Sequence, residues 1–165
     1  MPVTCSAGYY QPNPLQASCY ICPKGYFCPA QTGTAGTDYP TYDLTNFVCP
    51  KGYFCPEGST GPTNNPCPKG TYNDHVGAWS NAECRPSPPG YYQDQTAAIA
   101  IDTTKICSAG YYCKIGSYCP NPSACTVPSG ILYTDVGTLC TSGQYCPAGS
   151  AVPIPCTAGY YCATN

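Results

Sequence analysis

The chain has 165 residues, including 16 cysteines but only three phenylalanines and one methionine. Cysteine at about one residue in ten is typical of a disulfide scaffold, and so few large apolar side chains exclude a sizeable hydrophobic core. Only 8% of the residues are charged and the net charge is -2, so the chain has no basic surface that could neutralise phosphates. Nucleic acid is therefore excluded as a partner.

The cysteines also predict the compartment. An even set of thiols at this density is oxidised outside the cytosol, so we expect an extracellular or cell-surface protein. No window approaches the ~20 consecutive apolar residues of a membrane span, and the first residues have neither a basic start nor an apolar stretch. We therefore expect no membrane span and no signal peptide in this sequence. The predicted disulfide cysteines are Cys5, Cys19, Cys22, Cys28, Cys49, Cys55, Cys67, Cys84, Cys107, Cys113, Cys119, Cys125, Cys140, Cys146, Cys156 and Cys162.

One short motif, Cys-x-x-Gly followed by two residues that are mostly aromatic, recurs along the chain. Repetition of this kind is typical of an array of small structural units. Five copies end in a second cysteine: Cys22–Cys28, Cys49–Cys55, Cys107–Cys113, Cys140–Cys146 and Cys156–Cys162. Two copies, Cys5–Gln11 and Cys67–Asn73, lack it, and a looser copy runs from Cys84 through Tyr92.

Each copy predicts a turn followed by a short strand. In the copy at Cys22, Pro23 presets φ for a turn and Gly25 relieves its exit. The two aromatic residues that follow alternate faces in an extended strand, so one can pack on a disulfide while the other faces solvent or a partner. The linkers are rich in Gly, Ser, Thr, Asn and Pro and predict irregular turns.

Two inserts carry the strongest strand signals, at 97–101 and 131–134, and each predicts a small hairpin. No segment has the pattern of a helix. We therefore predict a small disulfide-rich, mostly irregular fold with short β-hairpins and essentially no helix. Because such units cannot bury a face alone, they are expected to stack into an elongated rod, one continuous array over 1–165 with approximate sub-repeats 1–48, 49–106 and 107–165.

The stretch from Cys49 through Tyr72 reads Cys-Pro-Lys-Gly-Tyr-Phe-Cys-Pro-Glu-Gly-Ser and then Pro-Cys-Pro-Lys-Gly-Thr-Tyr. It resembles ephrin-receptor-like cysteine-rich repeats, and a weaker match extends over nearly the whole chain. The resemblance implies an extended fold similar to tumour-necrosis-factor-receptor and growth-factor-like modules of protist and algal surface proteins, without catalytic residues. Similar repeats occur in flagellar-hair and surface-coat proteins, in receptors and in adhesins, so the resemblance does not choose among these roles.

The resemblance also bears on the disulfide pairing. Cys5 with Cys19 and Cys67 with Cys84 would form local loops that resemble the first bridge of receptor modules. An alternating, receptor-like pairing would contradict both loops. Since cysteine spacing does not determine connectivity, the pairing stays open at this point.

The sequence gives little support for a catalytic or metal site. The pair Cys19 and Cys22 has zinc-ligand spacing, but His75 is the only histidine and no second pair exists, which favours disulfides. A redox role would need a thioredoxin-like alternation of strands and helices. His75 is predicted to be an exposed loop residue. The acidic residues are dispersed, with no calcium-binding loop. We expect no cofactor and no enzyme.

Sugars are expected as covalent additions. No Asn-x-Ser/Thr sequon occurs, which leaves O-linked attachment on exposed hydroxyls near proline. The candidate acceptors are Thr32, Thr34, Thr37, Ser59, Thr60 and Thr63. Lys24, Lys51 and Lys69 occupy the same place in three copies and could share one face of a rod, although solvated turn residues are the favoured interpretation.

Two classes of function fit these features. The first is a structural subunit that assembles with itself, end to end, into an extracellular fibril or coat. The low charge and 17 tyrosines suit self-association, and the first and last copies of the motif would continue the repeat if placed head to tail. The second is a ligand-binding or adhesion ectodomain. The candidate self-association residues are Tyr9, Tyr10, Tyr91, Tyr92, Tyr111, Tyr160 and Tyr161.

Overall fold

The computed structural model describes residues 4–12, 18–30, 44–125 and 136–162. Its strands are β1 (Tyr9–Tyr10), β2 (Tyr20–Ile21), β3 (Thr71–Tyr72), β4 (Arg85–Pro86), β5 (Tyr111–Tyr112), β6 (Thr138–Leu139), β7 (Gln144–Tyr145) and β8 (Ile154–Pro155). Short 3₁₀ turns cover Leu44–Phe47, Asn81–Glu83 and Pro122–Ala124. The described residues contain no α-helix.

The strands form four separate antiparallel pairs: β1 with β2, β3 with β4, β5 with β6, and β7 with β8. Each strand is only two residues long, and all other described segments are turns, bends or extended chain. This confirms the predicted fold class, a small disulfide-rich and mostly irregular fold with short hairpins. Such short pairs are not stable alone, so other contacts must hold them.

The motif produces the strand that its turn predicts. The strands β1, β3, β5 and β7 each begin directly after the glycine of a copy. At Tyr26, Tyr53 and Tyr91 the same place carries a single antiparallel bridge. The glycine has positive φ in all of these copies, which lets the chain leave the turn in the extended direction that the strand needs.

The strand predicted at 97–101 is wrong. No strand pairs with this segment, which instead bends at Ala97, where φ is 55°. Its Ala100 carbonyl accepts a hydrogen bond from the Gln93 side chain at 3.3 Å, and Ile99 stays exposed. Apolar alternation predicts a strand only where a partner strand is available, and none is here. The hairpin predicted at 131–134 lies outside the described residues.

The contacts divide the chain into two compact units. Unit 1 comprises Met1–Cys67 with Asn73–Cys84, and unit 2 comprises Pro68–Tyr72 with Arg85–Asn165. The hairpin β1–β2 belongs to unit 1, and the other three hairpins belong to unit 2. The three sub-repeats expected from the sequence stay a prediction.

Disulfides form most of the core. Apart from Ala78 and Tyr118, the buried hydrophobic residues of the described chain are all half-cystines. No cysteine is free. The bridges are Cys5–Cys19, Cys22–Cys28, Cys49–Cys55, Cys67–Cys84, Cys107–Cys113, Cys119–Cys125, Cys140–Cys146 and Cys156–Cys162. They include both local loops named in the sequence analysis, and six of the eight close a loop with a sequence separation of 6.

Neighbouring copies are joined through the main chain of the repeated glycine. In unit 1, the Gly25 N–H donates to the Cys55 carbonyl at 2.8 Å, and the Gly25 carbonyl accepts from the Cys49 N–H at 2.9 Å. The glycine of one copy therefore forms hydrogen bonds with the first and seventh residues of the next copy. The same donor bond runs from Gly8, Gly52, Gly70, Gly90 and Gly110 to Cys28, Asn73, Gln93, Cys113 and Cys146, respectively.

These bonds correct the register of the loose copy. Ser87, and not Cys84, takes the first place, because its N–H donates to the Gly70 carbonyl as the first cysteine does in other copies. Gln93 takes the seventh place, since its carbonyl accepts from the Gly70 N–H. Ser87 and Gln93 are both buried. A serine and a glutamine thus occupy the positions that a disulfide fills in five other copies.

Amides replace cysteine wherever the seventh residue is not a half-cystine. The residues are Gln11, Asn73 and Gln93, and all three are buried. The Asn73 side chain donates to the Tyr53 carbonyl at 3.0 Å and accepts from the His75 N–H at 3.2 Å. Gln93 likewise accepts from the Gln95 N–H at 3.3 Å. The amide therefore fixes by hydrogen bonds the loop that a bridge fixes covalently.

The absence of a side chain on the motif glycine also lets a more distant part of the chain approach closely. In unit 2, a Cβ atom on Gly90 would lie 2.5 Å from the Gly149 carbonyl oxygen, and φ there is +86°. Gly143 has almost the same φ, +83°, but nothing lies within 4 Å of its Cβ position. The two residues thus share a backbone conformation and differ in packing.

We predict that the double substitution Ser87→Cys with Gln93→Cys creates a ninth disulfide. The two positions have the main-chain contacts of a bridged pair, and a loop this short adds about 2 kcal/mol in the chain-entropy model. Thiol counting after denaturation should find no free cysteine, and peptide mapping should join the two substituted positions. Ser87→Cys alone is the control and should carry one free thiol. Two free thiols in the double variant would contradict the register.

We also predict that Gly90→Ala destabilises unit 2 more than Gly143→Ala does. Both substitutions force an L side chain into a left-handed conformation, at about 1–2 kcal/mol. Only Gly90→Ala adds a collision with a carbonyl oxygen, which costs about 1–3 kcal/mol more. Guanidinium unfolding of the oxidised proteins, followed by tyrosine circular dichroism, measures the difference. Equal losses would show that the close approach contributes nothing.

Candidate assembly surface

The contact from copy to copy is weaker at the last two copies. The glycines of the first six copies are buried, whereas Gly143 and Gly159 are exposed. The Gly143 carbonyl still accepts from the Cys156 N–H at 2.9 Å, but the Gly143 N–H has no main-chain acceptor among the described residues. In the first six copies the glycine N–H donates to the next copy. At Gly143 the same N–H is an unused donor among the described residues.

Exposed apolar side chains lie in the same segment of the chain as this unused donor. Tyr145 and Ile154 face each other in the hairpin β7–β8 and are both exposed. In the final copy, 78% of Tyr160 and 92% of Tyr161 are exposed. We call this set of exposed residues in the uncharged C-terminal segment the open edge: Gly143, Tyr145, Ile154, Tyr160 and Tyr161. Exposed apolar groups beside unpaired main-chain donors are typical of a surface that another chain covers.

Charge is absent from this region. The six basic and eight acidic residues of the chain all lie between Lys24 and Asp135, so residues 136–162 carry no charged side chain. Exposed strand edges are usually protected from pairing by lysine or other charges. The open edge lacks that protection, which favours association.

The first hairpin of unit 1 has the same character. Tyr9, Tyr20 and Ile21, on β1 and β2, are each between 43% and 49% exposed. The Tyr10 and Tyr20 rings lie 6.2 Å apart, which holds the hairpin face rigid. Residues 1–23 contain no charged side chain. We call the face formed by Tyr9, Tyr20 and Ile21 the first-hairpin face.

The predicted self-association tyrosines therefore divide into two groups. Tyr9, Tyr160 and Tyr161 are exposed on the two uncharged surfaces. The others, which are half-buried, are Tyr10, Tyr91, Tyr92 and Tyr111. Sequence reasoning missed Tyr20, Tyr145, Ile21 and Ile154 because it looked only at paired aromatics after the motif glycine. The confinement of charge to 24–135 was readable from the sequence and would have marked both surfaces.

The candidate O-glycan acceptors also separate. Thr60 and Thr63 are exposed, and the Thr60 hydroxyl accepts from the Asn64 side chain at 2.8 Å. Ser59 is buried and its hydroxyl donates to the Pro56 carbonyl at 2.6 Å, so it does not fit a glycan acceptor. Thr32, Thr34 and Thr37 lie outside the described residues.

The ionisable side chains hold loops. The His75 ring nitrogens lie 3.3 Å from Asp74 and 3.5 Å from Glu83, so this histidine is half-buried between carboxylates. Asp94 pairs with Lys105. The Thr104 hydroxyl and N–H donate to Asp102 and lower the pKa of its carboxyl below the ordinary value. The described residues contain no group of three or more potential metal ligands.

The three lysines of the motif have different surroundings. The Lys24 ammonium lies 4.4 Å from the centroid of the Trp79 ring, while Lys51 is exposed. Lys69 is half-buried and lines a small polar cavity in unit 2 with Asp94 and Tyr118. A shared role for the three is therefore not supported.

Comparison with known proteins adds no relative. No protein-family model matches the sequence, and no curated protein is significantly similar to it. Within the described part of the chain, none of the helices is long and apolar enough to cross a membrane. The eight disulfides fit an extracellular protein.

Proposed function

We propose that this chain is a structural subunit of an extracellular or cell-surface fibril, assembled head to tail, with no catalytic role. The observation that carries the proposal is the open edge, where the Gly143 N–H has no main-chain acceptor among the described residues and exposed tyrosines lie in an uncharged segment. The ephrin-receptor-like character of the repeat, as in the flagellar-hair and coat proteins that share it, is part of the proposal.

Assembly pairs the open edge of one protein chain with the first-hairpin face of the next chain. Both surfaces are uncharged and aromatic, so burial of their apolar area drives contact without charge repulsion. Because the two surfaces differ, the contact is heterologous and can repeat without closing. Neither Thr60 nor Thr63 belongs to the two surfaces, but the Thr60 methyl carbon lies 3.5 Å from the Cβ position of Gly8, so a sugar on Thr60 would lie beside the first-hairpin face.

A second candidate function is a ligand-binding or adhesion ectodomain. The observation that favours it is the exposed Trp79, beside which Lys24, Phe54 and Glu57 line a cleft. A binding cleft does not exclude assembly, because the cleft residues are distinct from those of the open edge and of the first-hairpin face.

We predict that Tyr161→Lys and Tyr20→Lys each raise the critical concentration for filaments at least ~10-fold, equal to about 1.4 kcal/mol per contact. A lysine at an exposed edge opposes pairing because its charge must be desolvated. Ile115→Lys, at a residue 57% exposed and outside both surfaces, is the matched control. Sedimentation velocity and negative-stain electron microscopy of the oxidised protein give the readout.

Mixing the two lysine variants tests the head-to-tail geometry. Each variant keeps one intact surface, so an equimolar mixture should form heterodimers and no filaments. Filaments that survive either substitution would contradict the proposal. Monomeric wild-type protein at all concentrations would also contradict it and would favour the ectodomain.

A further inference from the structure

The strongest unassigned feature of unit 1 is the cleft beside Trp79. It is a shallow cleft of about 430 Å³ that is open to solvent. Trp79 is the only tryptophan of the chain, and 47% of it is exposed. Phe54 lies on the same wall. The largest aromatic side chain thus borders a cavity in a chain that buries few apolar groups.

The indole is positioned and not merely left in solvent. The Trp79 N–H of the main chain donates to a Glu83 carboxylate oxygen at 3.1 Å. The Lys24 ammonium lies 4.4 Å from the ring centroid, a distance at which a cation is attracted by the face of the ring. The first contact fixes the main chain at Trp79, and the second places a cation over part of the ring, which lowers the entropy lost on binding.

Polar groups line the rest of the cleft. Glu57 is exposed and forms no ion pair with the described residues. Asn81 is exposed, and the Ser80 hydroxyl oxygen is buried without a hydrogen-bond partner in the described chain. Because that oxygen is not accessible from the cleft, Ser80 is left out of the site. The cleft therefore offers a carboxylate and an amide beside an aromatic side chain.

The residues that line the cleft indicate which class of ligand it suits. Lys24 and Glu57 contribute one charge of each sign, so the cleft does not favour an anion or a cation. Donors and acceptors beside an apolar ring suit a ligand with C–H groups on its face and hydroxyls on its rim, as a pyranose has. We infer that this cleft binds a neutral saccharide, with a sugar face on the part of the Trp79 ring that Lys24 leaves uncovered and sugar hydroxyls on Glu57 and Asn81.

A quaternary ammonium ligand is the main competitor, because aromatic walls with a carboxylate also bind cations. Lys24 already lies over the indole, so a second cation there meets like-charge repulsion. This disfavours the competitor and makes tetramethylammonium a useful comparison ligand.

The sole tryptophan makes the test direct. Full-length Tyr161→Lys protein, produced without glycosylation, is titrated with tetrasaccharides of glucose, N-acetylglucosamine and mannose while Trp79 fluorescence is followed. At least one neutral tetrasaccharide should cause a saturable change that calorimetry reproduces. No change with any of them, or a response to tetramethylammonium alone, would overturn the inference.

Variants then locate the site. Trp79→Ala and Asn81→Ala should each weaken binding at least ten-fold by calorimetry, with all disulfides formed. Val76→Ala, at a residue 57% exposed in the same segment, should leave affinity unchanged. Equal weakening by all three would overturn the assignment to this cleft. Since this experiment uses an assembly-deficient protein, its result is separate from that of the fibril proposal.

Discussion

The pair of main-chain hydrogen bonds made by the repeated glycine is the contact on which each unit depends. Through Gly25, for instance, one copy donates to Cys55 and accepts from Cys49, so two copies are fixed by two hydrogen bonds at one residue. Only a residue without a side chain permits both the left-handed turn and the close approach of a carbonyl. The strands are two residues long because this turn, and not a sheet, carries the copy-to-copy contact.

Disulfides and buried amide side chains make these glycine hydrogen bonds possible. A turn can hold its neighbour only if its own loop is fixed, and the molecule fixes the loop in two ways: by a disulfide, as at Cys107 and Cys113, or by a buried amide that binds main-chain groups, as at Asn73 and Gln93. Neither way needs a large apolar core. This explains how a chain with so few large apolar side chains orders its turns.

The proposed function rests on the place where this arrangement is incomplete. The glycines of the first six copies are buried, whereas Gly143 is exposed and its N–H has no main-chain acceptor among the described residues. Charged residues are confined to 24–135, so both of the proposed contact surfaces lie in uncharged segments. The cleft at Trp79 lies within the charged stretch, where polar partners for a saccharide are available.

The sequence by itself determined the fold class, the place of each turn and, in every copy but the last, the strand or single bridge after it, because the Cys-x-x-Gly motif encodes these locally. It did not determine the bridges, since every pairing of cysteines is compatible with the same spacing. Nor could it show that Ser87 begins a copy or that 97–101 forms no strand, because both depend on hydrogen bonds to residues distant in the chain. The tertiary structure alone decided which tyrosines are exposed and that Lys24 lies over Trp79, because burial is set by the copies that pack together and not by the motif that each copy shares.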